Sequence, residues 1–329
     1  MTLSVSTTKS SRAAAGPRPG RRPARRNARR GVRRPGRRGY SLYLLPGLVL
    51  SCVVIVVPVI ANVGLSFTSW PGVGNPEWIG TRNYQRLFQD EDFWASFRHT
   101  AAIVLAMAIV PTVLGLVLAA VLFDYVAKRF SSRSATLFRS ALYVPQVLPV
   151  AVSGIVWSWL LLPDGAVNAL AKDVGLGGLA RDWLGDPNSA LPSVLGIMVW
   201  IQLGYPVVMF MAGLQRVNPE LYEAAEMDGA GWWQRFRRIT IHQVRPELYV
   251  VLATTTIAAL KTFAQVFVLT RGGPGNATLV PSYFAYRSFF ENADVGYGSA
   301  ISSIMVVLIL VVGAVFVRLQ TRADQEGRR

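Results

Sequence analysis

Apolar residues fall in six long runs, at Leu42–Val63, Thr100–Phe123, Phe138–Leu162, Leu191–Gln215, Leu248–Leu269 and Ser299–Val317. A helix needs about 20 mostly apolar residues to cross a bilayer. Hydrocarbon offers no water to satisfy backbone groups, so each run predicts a helix. The pattern therefore predicts an all-α, polytopic membrane helix bundle with six transmembrane helices. Pro58, Pro111, Pro149 and Pro206 lie inside these runs and predict kinks or broken turns.

One polar interval keeps a helical pattern. YEAAEMDGAGWWQRFRRIT, Tyr222 to Thr240, lies between the fourth and fifth runs. Asn218 suits a helix N-cap and Pro219 the first helical position. Glu220 and Glu223 suit the positive end of that helix. The helix is expected to run to about Met227, where Gly229 turns the chain. Trp232, Phe236 and Ile239 then share one apolar face of a second short helix, with Arg235 and Arg238 pointing elsewhere. The residues alone leave two readings of this hairpin. It is either an interfacial anchor at headgroup level or a surface that meets a partner.

Composition supports the membrane class: 52% of residues are hydrophobic and 16% charged. The net charge of +16 is concentrated in one place, an Arg-, Gly-, Pro- and Ala-rich head. That head has no apolar face to bury and is expected to be disordered. It reads as a cytoplasmic anchor that touches anionic lipid, not as a nucleic-acid arm or a cleaved signal peptide. Of the 34 Lys and Arg residues, 26 fall on the side that carries both termini and the hairpin. The positive-inside rule makes that side cytoplasmic. The chain thus divides into a disordered tail over 1–39, a first transmembrane helix and outer loop over 40–98, a core of five transmembrane helices over 99–317 that includes the hairpin loop 216–246, and a cytoplasmic tail over 318–329.

Candidate chemistry is sparse. No Asp or Glu lies within the six runs, so no proton or sodium relay is expected. The phosphate-binding pattern GxxxxGK[ST] does not occur. His99 and His242 form no metal-ligand spacing with the single cysteine, Cys52. Cys52 lies in an apolar run and is expected to be an inert buried thiol. No catalytic residue, no metal site and no enzyme activity are assigned. Energy for uphill movement would have to come from another subunit.

The hairpin resembles the EAA loop of inner-membrane permeases of ABC importers. Glu223, Ala224 and Ala225 match its opening, Gly229 follows after three residues and Ile239 after nine more. Ile241 and His242 stand where the family has Leu-Pro, and a proline follows only at Pro246. A second stretch, Phe267 to Ser302, is similar to the region before the last span of carbohydrate-type permeases. It carries Leu269–Pro274 and Gly296–Ala300, and the stretch from Phe93 resembles the approach to the second span in that family.

The resemblance covers about Leu42 to Val317, and it implies a permease subunit for a sugar or related solute such as glycerol phosphate. It implies a second permease subunit, cytoplasmic ATP-binding subunits that hydrolyse ATP, and an extracytoplasmic solute-binding protein as partners, with no cofactor on this chain. The hairpin would be a coupling helix in a groove of the ATPase. Glu223, Ala224, Ala225, Asp228, Gly229 and Arg235 are the expected ATPase-coupling residues.

For the substrate path the expectation is Lys261, Gln265, Thr262, Gln202 and Tyr205, polar residues of the fourth and fifth spans. Lys261 and Gln265, four apart, are expected on one helix face. An intramembrane Lys is a functional candidate, or it snorkels outward or pairs with a neighbouring subunit. Trp157 and Trp159 could stack on a sugar ring or serve the interface. The Gly-Gly-Pro loop and the first outer loop, Ser66–Arg98, are expected outside as a landing surface for the solute-binding protein. An alternative is a membrane scaffold or sensor that recruits a cytoplasmic partner without transport, which predicts complexes that lack an ATPase.

Overall fold

The computed structural model describes residues 37–126 and 132–326. Most of the Arg-rich tail expected to be disordered, 1–36, lies outside the described residues. The chain divides into two compact units, one ending at Cys52 and one beginning at Val53.

Among the described residues four helices are each long and apolar enough to cross a membrane: Tyr43–Leu65, Glu91–Asp124, Pro187–Leu214 and Val295–Arg322. A bent pair, Leu137–Val147 and Val150–Leu160, makes a fifth candidate, with 94° between its halves. Pro149 causes that bend. It sits in extended backbone at ψ 134, cannot donate a helical hydrogen bond, and pushes the residue before it out of the helical region. Pro58 and Pro111 are milder. Each follows a wider π turn, Cys52–Val56 and Leu105–Ile109, that absorbs the missing donor without breaking the span.

The expected fifth run behaves differently from a simple span. Its helix, Arg245–Leu260, is 16 residues long. The chain then leaves the helical path through Lys261 and Phe263 and resumes as the short helix Ala264–Leu269. Lys261 and Gln265 therefore lie on opposite sides of an interruption, and the expectation that they share one helix face does not hold.

Two buried clusters hold together helices from Arg82 onward. One gathers Phe93, Ile103, Met198, Leu279, Tyr283 and Tyr297. The other gathers Leu116, Val207, Phe210, Leu214, Phe236 and Val251. Close approach within the second cluster uses glycine: a Cβ on Gly115 would stand 2.6 Å from Pro206, and one on Gly204 would stand 2.3 Å from the Leu142 carbonyl. Small residues at such crossings let backbones touch where hydrocarbon supplies no hydrophobic drive.

The apolar window of the first span has none of its residues buried, and Cys52 is exposed, contrary to the expected buried thiol. An apolar side chain in a membrane needs no protein neighbour, so hydropathy cannot separate lipid-facing from core positions. Asn62, near the end of this span, donates to Ser303 Oγ at 3.1 Å and the Ser299 carbonyl at 3.3 Å.

The loop after the first span adds a small departure from all-helical structure. Thr68–Ser69 and Glu77–Trp78 pair as two antiparallel strands. Asn83, buried, donates to the Ser66 and Thr68 carbonyls at 2.9 Å each. Arg86 pairs with Asp294 at 2.7 Å, and Tyr297 donates to Asp90 at 2.5 Å. These bonds fasten the loop to the start of the last span.

Candidate functional site

The segment between the helices Gly204–Leu214 and Arg245–Leu260 is a helical hairpin. Asn218 caps its first helix, Pro219–Met227, accepting from the Glu220 amide at 3.1 Å. Gly229 turns the chain at φ +76 with open space around it, a conformation that costs glycine little and other residues more. The second helix starts at Trp232–Arg235 and widens into a π turn at Phe236–Thr240. Gln234 Oε1 accepts from the Gly231 amide at 3.2 Å and so serves the helix start.

Three ties make the hairpin stiff. Tyr222 and Thr240 join the two arms through their hydroxyls at 3.0 Å, buried. Burial raises the Tyr222 phenol above its ordinary 10.0, against the lowering effect of the Thr240 bond. Arg235 pairs with Glu226 at 3.1 Å across the turn. Trp232 Nε1 donates to Asp124, at the end of the second span, at 3.0 Å. Phe236 is buried in the bundle and stacks on Trp232 at 5.2 Å.

Of the residues expected to couple to an ATPase, Glu223, Ala224, Asp228 and Gly229 are exposed at the tip and Ala225 is half-buried. Met227 beside them is 88% exposed. Arg235 is partly buried and serves as an internal strut. A cavity of about 360 Å³ runs alongside, lined by Ala225, Asp228, Ala230, Gln234, Arg235 and Arg238. The tip is thus an acidic and apolar knob on a braced stalk.

The expected path residues are dispersed. Lys261 is exposed and borders a cavity of about 330 Å³ with Ser282, Tyr286, Phe289, Phe290 and Ser302. Thr262 is buried; its carbonyl accepts from Ser282 and its hydroxyl reaches Met107 Sδ at 3.6 Å. Gln202 is buried, and Gln265 is half-buried in the short helix. Tyr205 meets Thr254 at 3.1 Å, bridging the helices Gly204–Leu214 and Arg245–Leu260. Trp157 packs edge-on against Trp200 at 5.3 Å, while Trp159 is exposed.

The Gly-Gly-Pro segment is packed against its neighbours. Among 271–280 only Arg271 and Gly275 are exposed. Gly272 takes φ +77 so close to Tyr283 that a Cβ would stand 3.0 Å from the ring. Thr270 and Thr278 hydroxyls bond at 2.6 Å, and His99 Nδ1 donates to the Leu279 carbonyl at 2.8 Å. Asn276 donates to Asp92 at 2.9 Å and accepts from Arg287 at 2.8 Å. Periodicity carries no signal for such contacts. The same holds for Tyr222, Thr240 and Asp124, which the sequence reading did not single out. Among the described residues no group of three His, Cys, Asp or Glu side chains is placed to hold a metal ion.

The chain matches the family described as binding-protein-dependent transport system inner membrane component over residues 125–326, and it belongs to that family. It is a transport component and not an enzyme. It is 33% identical over 286 residues to the sulfoquinovosyl glycerol transport system permease protein SmoG of Agrobacterium fabrum, covering 86% of this chain and 90% of that protein. It is 32% identical over 283 residues to the trehalose/maltose transport system permease protein MalF of Thermococcus litoralis, covering 85% and 92%. Its fold is similar to a chain in the crystal structure of a bacterial ABC transporter involved in the import of the acidic polysaccharide alginate. That likeness has a TM-score of 0.75 at 23% identity, over 87% of this chain and 96% of that one.

Proposed function

We propose that this chain is one of two permease subunits of an ATP-driven importer and forms part of the path for a sugar or related solute. The observation that carries the reading is the hairpin: an exposed Glu223–Gly229 tip on a stalk tied by Tyr222–Thr240, Arg235–Glu226 and Trp232–Asp124. A stiff knob transmits displacement, whereas a floppy loop would absorb it. Cytoplasmic ATP-binding subunits hydrolyse ATP and move the tip, and the spans then switch access as rigid bodies. Glu223, Ala224, Ala225, Asp228 and Gly229 meet the ATPase, and Arg235 holds the tip in shape.

The sugar class is supported by the relatives named for trehalose/maltose and for sulfoquinovosyl glycerol transport. The aromatic wall of Tyr286, Phe289 and Phe290 beside Lys261 suits a sugar ring, and Gln202, Tyr205, Thr262 and Gln265 supply further polar groups. In this reading the spans number six. The bent pair is the third, and Arg245–Leu260 with Ala264–Leu269 is the fifth. The 16-residue helix alone is about 24 Å long, short of the hydrocarbon thickness, and the following short helix completes the crossing. Both termini and the hairpin are cytoplasmic by the distribution of Lys and Arg. The Arg-rich tail 1–39 fixes orientation against anionic lipid, and the permease core spans 99–317. An extracytoplasmic solute-binding protein delivers the solute to the outer loop 66–98.

The test is co-expression with a partner permease, ATPase and binding protein, followed by ATP-dependent uptake of labelled sugars. Glu223→Ala with Gly229→Pro should abolish both uptake and ATPase co-purification while the permease pair still assembles. Unchanged ATPase retention and uptake would reduce the hairpin to an interfacial anchor.

A further inference from the structure

The hairpin is strung between the end of the fourth span and the start of the fifth. Arg216 lies just past the helix Gly204–Leu214, and Glu247 lies in the first turn of Arg245–Leu260. Their side chains form an ion pair that closes the base of the hairpin. The pair is asymmetric: the Glu247 side chain is 9% exposed and that of Arg216 70%. Gly213 makes room for the carboxylate, since a Cβ there would stand 2.9 Å from Glu247 Cδ. Met209, Ala212 and Val250 border the same site.

A buried carboxylate is costly, and taking away one partner of a buried pair costs far more than replacing both. If stability were the whole role, a neutral pair of similar shape would serve as well. The position suggests a mechanical role. A push on the tip reaches the bundle at two points, where the chain leaves the fourth span and where it re-enters the fifth. Phe236 and Val244 bind the hairpin through apolar packing, which is non-directional and tolerates sliding. An ion pair with a buried carboxylate is directional and sets a distance.

We propose that Arg216 and Glu247 are positioning residues that brace the hairpin base, so that the ends of the fourth and fifth spans move as one body when the tip is displaced. The proposal rests on the reading that the tip docks a cytoplasmic ATPase.

The test uses the assembled complex in a Cys52→Ser background, with cysteines spin-labelled at Gln215 and Gln243, both exposed. The label-to-label distance is measured without nucleotide and after trapping with ATP and vanadate. With the pair intact, one narrow distance should persist in both states. In Glu247→Gln, and in Arg216→Gln with Glu247→Gln, the distance should shift and broaden on trapping. The double variant has no unpaired buried charge, so its thermal unfolding should match the parent and folding loss is removed as a cause. A double variant that keeps the parental distance in both states overturns the brace alone. ATPase retention is scored on the same samples and on Glu223→Arg, which should release it. Retention by Glu223→Arg would instead overturn the docking reading and the coupling role of the brace with it.

Discussion

The two polar segments on either side of the interrupted helical stretch 245–269 differ in how they satisfy their backbones. The hairpin before it draws its cap, turn and strut from within, and Trp232 adds one bond outside it, to Asp124. Its cap is Asn218, its turn is Gly229, and its strut joins Arg235 to Glu226, all within the segment. Its tip can therefore stand in solvent. The Gly-Gly-Pro segment after it depends on distant residues: His99 for the Leu279 carbonyl and Asp92 for Asn276. That segment lies folded among the helices, with Leu279 and Val280 buried. Glycine, proline and polar residues mark both segments, so composition does not say which one is a surface. The source of each segment's hydrogen-bond partners does.

Truncation should separate the two segments most sharply. Leu279→Ala removes a side chain with 0% exposure and should lower stability by about 2–5 kcal/mol. Met227→Ala at the 88% exposed tip should stay within about 0.5 kcal/mol yet weaken ATPase retention. Thermal unfolding of the purified permease, paired with co-purification, checks both. Similar stability losses at the two sites would break the contrast.

A smaller effect tests how stiff the hairpin is. Tyr222→Phe deletes a buried hydroxyl pair with Thr240 and should cost about 1 kcal/mol. The pH dependence follows from burial, which raises the Tyr222 phenol above 10.0. The folded chain then holds a proton that the unfolded chain has already lost. The contribution is intact below pH 10 and is lost as pH climbs from there through the raised value. Comparing unfolding at about pH 9 and about pH 11 should show a steeper decline in the parent than in Tyr222→Phe.

The smallest effect concerns the strut. Arg235→Gln breaks the ion pair with Glu226, whose side chain is 65% exposed. Stability should fall by less than about 1 kcal/mol. Hydrogen exchange at the Ala225 to Gly231 amides should nonetheless quicken, because the turn loses its cross-link. Unchanged exchange would mean that Tyr222–Thr240 alone sets the hairpin geometry.

The hairpin was the more legible of the two segments. Its cap, first helix and turn at Gly229 follow from neighbours within a few residues, and the expected end near Met227 matches the observed helix Pro219–Met227. The expected apolar face was legible through Phe236, which is buried. Arg235 was read as pointing away from that apolar face, and its pairing with Glu226 was not legible, because that partner lies on the other arm. Among the path candidates, the interruption at Lys261 could not be read from hydropathy, since the stretch from Leu248 to Leu269 stays mostly apolar on both sides of it.

By itself the sequence determined the membrane class, most of the helices, the turn at Gly229 and the bend at Pro149. Each of these follows from transfer of side chains out of water or from the local backbone limits of glycine and proline. Only the tertiary structure decided that the first span's apolar window is unburied, that the Gly-Gly-Pro segment folds inward and that Glu247 pairs with Arg216. Hydropathy measures escape from water, and lipid and protein interior offer that equally. Which of the two a residue meets is set by partners far away in the chain, and those leave no period in the sequence.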